Sequence, residues 1–122
     1  MPTYVVRART ETLIPGRRQR LAEQITEVHH AVTGAPRTVV QVVVEDLRGR
    51  DHFIDGRVAA TGSVYVHGHV RAGRDEETLA ALAAGVRDAV VATTDVVEDL
   101  VWVYLSEIPP ERMLEATIPA QP

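Results

Sequence analysis

The stretch "RAGRDEE" sets Arg71 and Arg74 between the end of a strand and the first turn of a helix. Free backbone N–H groups at a helix start favour an anion, and two forked guanidiniums there suit the two oxygens of a small carboxylate. The plainer alternative is that both pair with Asp75, Glu76 or Glu77 as solvated ion pairs of little energetic consequence. "EVHHAVTG" places His29 and His30 in the last turns of another helix, His29 beside Ile25 and Val32 on its apolar edge and His30 turned outward. A helix C-terminus favours histidine, so capping or edge-of-core packing is the ordinary explanation for such a pair. The chain has no cysteine, and all 13 of its basic residues are arginine, which cannot be deprotonated to serve as a base. The only amine able to act as acid, base or nucleophile is therefore the N-terminus. In "MPTY", removal of Met1 would make that amine the secondary nitrogen of Pro2.

Other candidates are weaker when taken singly. His67 and His69 lie two apart on one strand face, a spacing that permits metal binding, but no thiolate and no evident third ligand joins them, so no metal site is expected. Trp102 and Tyr104 share a strand face, as packing aromatics often do. Glu115, in "ERMLEAT", reads as surface by itself.

The elements that must position these residues follow from an internal similarity at an offset of 61, half the 122-residue chain. Without a gap, "TYVVRART" falls on "VYVHGHVR", Leu21 and Ala22 on Leu82 and Ala83, Ile25 on Val86, and "VVQVVVEDL" on "LVWVYLSEI". Each half, 1–61 and 62–122, reads strand, helix, strand. The first strand runs from Thr3 to about Arg9. Its helix opens at Pro15 or Gly16, carries Leu21, Ile25, Val28 and Val32 at helical spacing, and stops at Gly34. "APRTVVQVVVEDL" then reads as a β-branched strand. The second helix opens at "RDEET", with Leu79, Leu82, Val86 and Val90 on one side. Between the halves, "RGRDHFIDGRVAATG" has room for a short hairpin. Residues 109–122 form a C-terminal extension with at most one helical turn.

Two β-α-β units predict an α/β (α+β) domain, a four-stranded sheet with two helices on one face and right-handed crossovers. "TVVQVVV" and "LVWVYL" are apolar on both alternating faces, so the uncovered face is expected to meet another copy of the chain. The length predicts one domain able to bury roughly two-thirds of its unfolded surface. A hydrophobic fraction of 45%, a charged fraction of 25% and a net charge of −4 argue against disorder and against nucleic acid as a partner. The sequence shows neither a long apolar run nor a signal pattern, so no membrane partner and a cytoplasmic location are expected.

As a set, "MPTY", "ITEVHHAVTGAP", "VQVVVEDL", "VHGHVRAGR" and "VWVYLSEIPPERMLE" resemble the tautomerase superfamily, and within it the cis-3-chloroacrylic acid dehalogenase group. The resemblance implies that Pro2 is the catalytic N-terminal proline and that His29 contacts the substrate carboxylate. It implies that Arg71 and Arg74 bind and polarise that carboxylate, and that Tyr104 and Glu115 activate water. It also implies a homotrimer with sites near subunit boundaries and an activity that needs no cofactor or metal. The expected substrates are small unsaturated or 2-oxo carboxylates. Two departures accompany it. Ala116 follows Glu115 where the dehalogenases carry a tyrosine and a longer tail, and "RTVV" replaces bulkier pocket residues. Weak dehalogenation and a different natural substrate are expected. A plain keto–enol tautomerase of the phenylpyruvate type, and a trimeric module that only binds an anion, are the alternatives.

Overall fold

A computed structural model describes residues 2–48 and 51–115. Met1, whose removal the chemistry of Pro2 requires, and the extension beyond residue 115 lie outside them. The chain order is strand β1 (Thr3–Ala8), helix α1 (Pro15–Thr33), strand β2 (Gln41–Asp46), a hairpin of β3 (Phe53–Ile54) and β4 (Arg57–Val58), strand β5 (Val64–Arg71), helix α2 (Glu76–Thr94) and strand β6 (Val101–Ile108). Short 3-10 turns cover Arg37–Val39, Glu98–Leu100 and Pro110–Arg112. The second strand of the first half therefore starts at Gln41, because "RTV" winds into a turn after Pro36 instead of extending.

The main sheet has the order β2-β1-β5-β6, with parallel outer pairs and an antiparallel central pair. Both helices cover one face. Against them lie Tyr4, Val6 and Ala8 of β1 and Val64, Val66 and Val70 of β5, all buried, together with Leu21 and Ile25 of α1 and Leu82, Val86 and Val90 of α2. The helices approach closely at Gly85, where an added Cβ would stand 2.6 Å from Val28 Cγ1. Pro15 opens α1, and Gly34 closes it in the left-handed region with φ 77°, its N–H donating to the His30 carbonyl. α2 opens on Asp75, whose side chain accepts from the Thr78 N–H at 2.8 Å, and closes on Asp95 at φ 64°. The connecting hairpin turns at Asp55 and Gly56, both at positive φ, as a two-residue connection between twisted strands requires.

Two sequence expectations change. The repeat is not gapless. Thr3 pairs with Gln41 in the first half and Tyr65 with Trp102 in the second. Gln41 and Trp102 are 61 apart, but Thr3 and Tyr65 are 62 apart. Side chains alternate between faces with period two, so an odd offset would turn the core residue Tyr4 into its outward-facing counterpart Tyr65; the even offset keeps both strands facing the helices. Nor is the uncovered face uniformly apolar. β1 and β2 present Thr3, Val5 and Arg7 beside Gln41, Val43 and Glu45, and Arg7 Nε donates to Glu45 Oε2 at 2.8 Å. Only its far edge, Tyr65, Trp102 and Tyr104, is aromatic.

Candidate active site

Five of the six predicted site residues lie around the start of β1. Pro2 is buried, and its carbonyl accepts from the Gln41 N–H at 3.1 Å, which anchors the chain start against β2. Across the sheet Thr3 pairs with His69, so the end of β5 at Arg71 runs alongside the beginning of the chain. The β5–α2 loop turns back there through Gly73 at φ 115°, and Arg74 Nη1 donates to the Arg71 carbonyl at 2.9 Å. Among the described residues neither arginine forms an ion pair. Asp75 caps α2, and the expected pairing of these arginines with their acidic neighbours does not occur.

His29 is not at the edge of the core but inside it, with no solvent exposure. Its Nδ1 lies 2.7 Å from the Tyr4 hydroxyl, and its Nε2 is buried without a hydrogen-bond partner among the described residues. Burial above all, and then the charge of Arg74, pushes the imidazole pKa down to about 4, so His29 is neutral at physiological pH. Burial likewise raises the Tyr4 phenol above its ordinary range, opposed in part by Arg74. The charge of Arg74 acts on both rings. His30 turns outward as expected, its Nδ1 2.8 Å from the Ala35 carbonyl.

Tyr4 is a residue the sequence reading passed over. Its ring stands edge-on to His29, with centroids 5.7 Å apart, and crosses β5 at its pairing partner Gly68. A Cβ on Gly68 would come within 2.7 Å of that ring. A glycine inside the strand "VHGHV" was the available signal, since glycine in a strand marks a close approach.

Glu115 lies on the other side of β1. It lines a surface cleft of about 320 Å³ with Thr3, His69, Ile108, Arg112 and Met113, the 3-10 turn after β6 bringing the chain back over the sheet edge. Tyr104 is on the same sheet face but does not line this cleft. It is half-exposed, pairs in register with His67 and packs on Tyr65 at 5.7 Å between centroids. One chain thus brings Pro2, His29, Arg71, Arg74 and Glu115 around the start of β1 and leaves Tyr104 apart. His67 donates to or accepts from Ser106 Oγ at 2.7 Å and stacks 4.2 Å from His69; among the described residues no third potential ligand joins them.

The β1–α1 loop, the end of α2 and the lead-in to β5 enclose a second cleft of about 290 Å³, lined by Glu11, Thr12, Arg17, Thr61, Gly62 and Thr94 among others. By the internal repeat it is the counterpart of the end of the sheet where the chain start, the end of α1 and the Arg71–Arg74 loop lie, with Val90 in the helix position of His29. Among the described residues no helix is long and apolar enough to cross a membrane.

Comparison with known proteins agrees with this architecture. Residues 1–115 match the family described as "Putative oxalocrotonate tautomerase enzyme". Among solved structures, N1, a member of the cis-3-chloroacrylic acid dehalogenase family, superposes with a TM-score of 0.90 at 33% identity, covering 95% of this chain and 81% of its own. Native Ps01740 superposes with a TM-score of 0.86 at 33% identity, covering 93% of this chain and 99% of its own. The Q0 fused 4-OT symmetric trimer gives a TM-score of 0.86 at 25% identity, covering 93% of this chain and 91% of its own. Among curated proteins no match was found. With its paired β-α-β units, its buried chain start and these relatives, the chain belongs to the tautomerase superfamily and is a homologue of the cis-3-chloroacrylic acid dehalogenase group.

Proposed function

We propose that the protein is a cofactor-independent enzyme that uses Pro2 as an N-terminal acid or base on small unsaturated or 2-oxo carboxylates. The observation that carries this reading is the buried Nε2 of His29, without a hydrogen-bond partner among the described residues, in an imidazole whose pKa the charge of Arg74 helps to lower. A carboxylate held by Arg71, Arg74 and His29 satisfies all three. Charge developing on that carboxylate as a conjugated bond is attacked is stabilised by the arginines without reorganisation. Glu115 takes a proton from water, whose oxygen adds at C3, and a protonated Pro2 delivers a proton to C2. A halogen on C3 then leaves as halide while the hydroxyl loses its proton and becomes an aldehyde; a triple bond is simply hydrated. Weak dehalogenation fits the replacement of the dehalogenases' tyrosine by Ala116.

Water addition needs Tyr104 beside Glu115. The Q0 fused 4-OT is a symmetric trimer, and on this reading a homotrimer over the open sheet face is what supplies Tyr104 of one copy to the Glu115 cleft of the next. The separation of Tyr104 from that cleft within one chain favours a second reading, a plain keto–enol tautomerase. There a neutral Pro2 shuttles the proton and the Glu–Tyr pair is dispensable. Intact mass, followed by assays with three-carbon acetylenic and haloacrylic acids and with aryl enolpyruvates, tests both readings. The expected protein lacks Met1; Pro2→Ala loses every activity, and Glu115→Gln loses hydration while sparing tautomerisation. A retained Met1 makes the Pro2 nitrogen a tertiary amide, and with full activity it would overturn the role of Pro2. Full activity of Pro2→Ala would do the same, and a protein that binds these acids without turnover is the anion-binding module.

A further inference from the structure

We propose that Tyr4 is a positioning residue that fixes the tautomer of His29, so that its Nε2 carries the proton and donates it to the substrate carboxylate. The inference rests on the carboxylate site described above and deepens it. The Tyr4 hydroxyl and His29 Nδ1 are 2.7 Å apart, and both residues are wholly buried. Two proton arrangements are compatible with that distance. If Nδ1–H donated to the phenol oxygen, the phenol proton would need another acceptor. Among the described residues the hydroxyl has no other hydrogen-bonding partner. If the hydroxyl donates to Nδ1, both groups are satisfied along that bond, and the imidazole proton stands on Nε2, the atom that has no partner among the described residues. A buried N–H left unmet is costly, and an incoming carboxylate oxygen relieves it. Arg74, whose charge acts on His29, is the cation that would share this anion with the neutral donor.

The ring is held for this purpose by its seat. Tyr4 pairs with Gly68 across β1 and β5, and the missing Cβ leaves the space its ring occupies, with Leu105 closing the other side. The phenol therefore has little freedom to rotate away from His29. Because burial keeps the phenol protonated beyond its ordinary range, it remains available as a donor at neutral and alkaline pH.

The test combines a tautomer measurement with a binding measurement. In two-bond proton–nitrogen correlation spectra at pH 7, His29 of the unaltered protein is expected as the Nε2–H tautomer. Tyr4→Phe should release it to a mixture and weaken the binding of propionate, an unreactive three-carbon carboxylate, by about two- to ten-fold, the worth of one hydrogen bond. KM should rise by the same factor, with kcat changing less. Gly68→Ala, which displaces the ring without removing the hydroxyl, should act in the same direction. An Nδ1–H tautomer in the unaltered protein overturns the proposal, as does an unchanged tautomer and propionate affinity in a folded Tyr4→Phe protein. Failure of the unaltered protein to bind propionate, with His29 still the Nε2–H tautomer and still released by Tyr4→Phe, overturns the carboxylate site and leaves Tyr4 as the residue that sets the tautomer.

Discussion

Acid should destabilise this protein through one buried imidazole, by an amount that can be worked out. His29 has a folded pKa of about 4 against an ordinary value of 6.5. Between those values the unfolded chain binds a proton at His29 that the folded chain refuses. Stability contributed by the neutral ring is therefore complete above about pH 6.5 and is lost as the pH falls toward 4. At 1.36 kcal/mol per pKa unit the loss is about 2 kcal/mol between pH 7 and pH 5 and about 3 kcal/mol by pH 4. Carboxylates titrate over the same range, so the informative quantity is a difference. Urea unfolding at fixed protein concentration, at pH 7 and pH 5, should be compared for the unaltered protein and for His29→Gln, which keeps a polar partner for Tyr4 but does not titrate. The unaltered protein should lose about 2 kcal/mol more than the variant over that interval. Equal losses in the two proteins would show that His29 binds its proton as easily folded as unfolded, and the burial argument would fail.

Gly85→Ala should destabilise the fold by about 1–3 kcal/mol in thermal or urea unfolding, because its Cβ meets Val28 at 2.6 Å; adding Val28→Ala should restore much of the loss. Arg74→Ala should raise the His29 pKa, since the guanidinium helps to depress it, and should weaken propionate binding; an NMR titration and a binding isotherm check the two effects separately. A charge placed on the half-exposed aromatic edge by Trp102→Asp should shift the assembly toward monomer in light scattering, while leaving helix content unchanged in circular dichroism.

The elements were legible because their signals are local. Pro15, Gly34 and the acidic turn after Asp75 mark helix ends by backbone geometry alone, and Leu21, Ile25, Leu82 and Val86 repeat at the helical period. The strand register was not, because one residue more or less between β1 and α1 leaves the apolar pattern almost intact while reversing the face of every side chain in the strand. The same blindness hid Tyr4. Nothing in "MPTY" says that its hydroxyl reaches a histidine 25 positions on; that contact exists only once β1 and α1 are packed and Gly68 has made room. The burial of His29 was under-read for a related reason, since periodicity places it on the apolar flank but cannot say how deep that flank lies.

The two ends of the sheet in this internally repeated chain cannot be interchangeable. The proposed function rests on a free Pro2 nitrogen ahead of β1, whereas the lead-in to β5 arrives mid-chain, where every backbone nitrogen is an amide. On the proposed function the repeat divides the labour: the first half brings Pro2 and the imidazole of His29, and the second brings the loop of Arg71 and Arg74. Neither half is a smaller version of the whole. On the proposed function, cutting the chain between β4 and β5 would part the proline from the arginines with which it is to work.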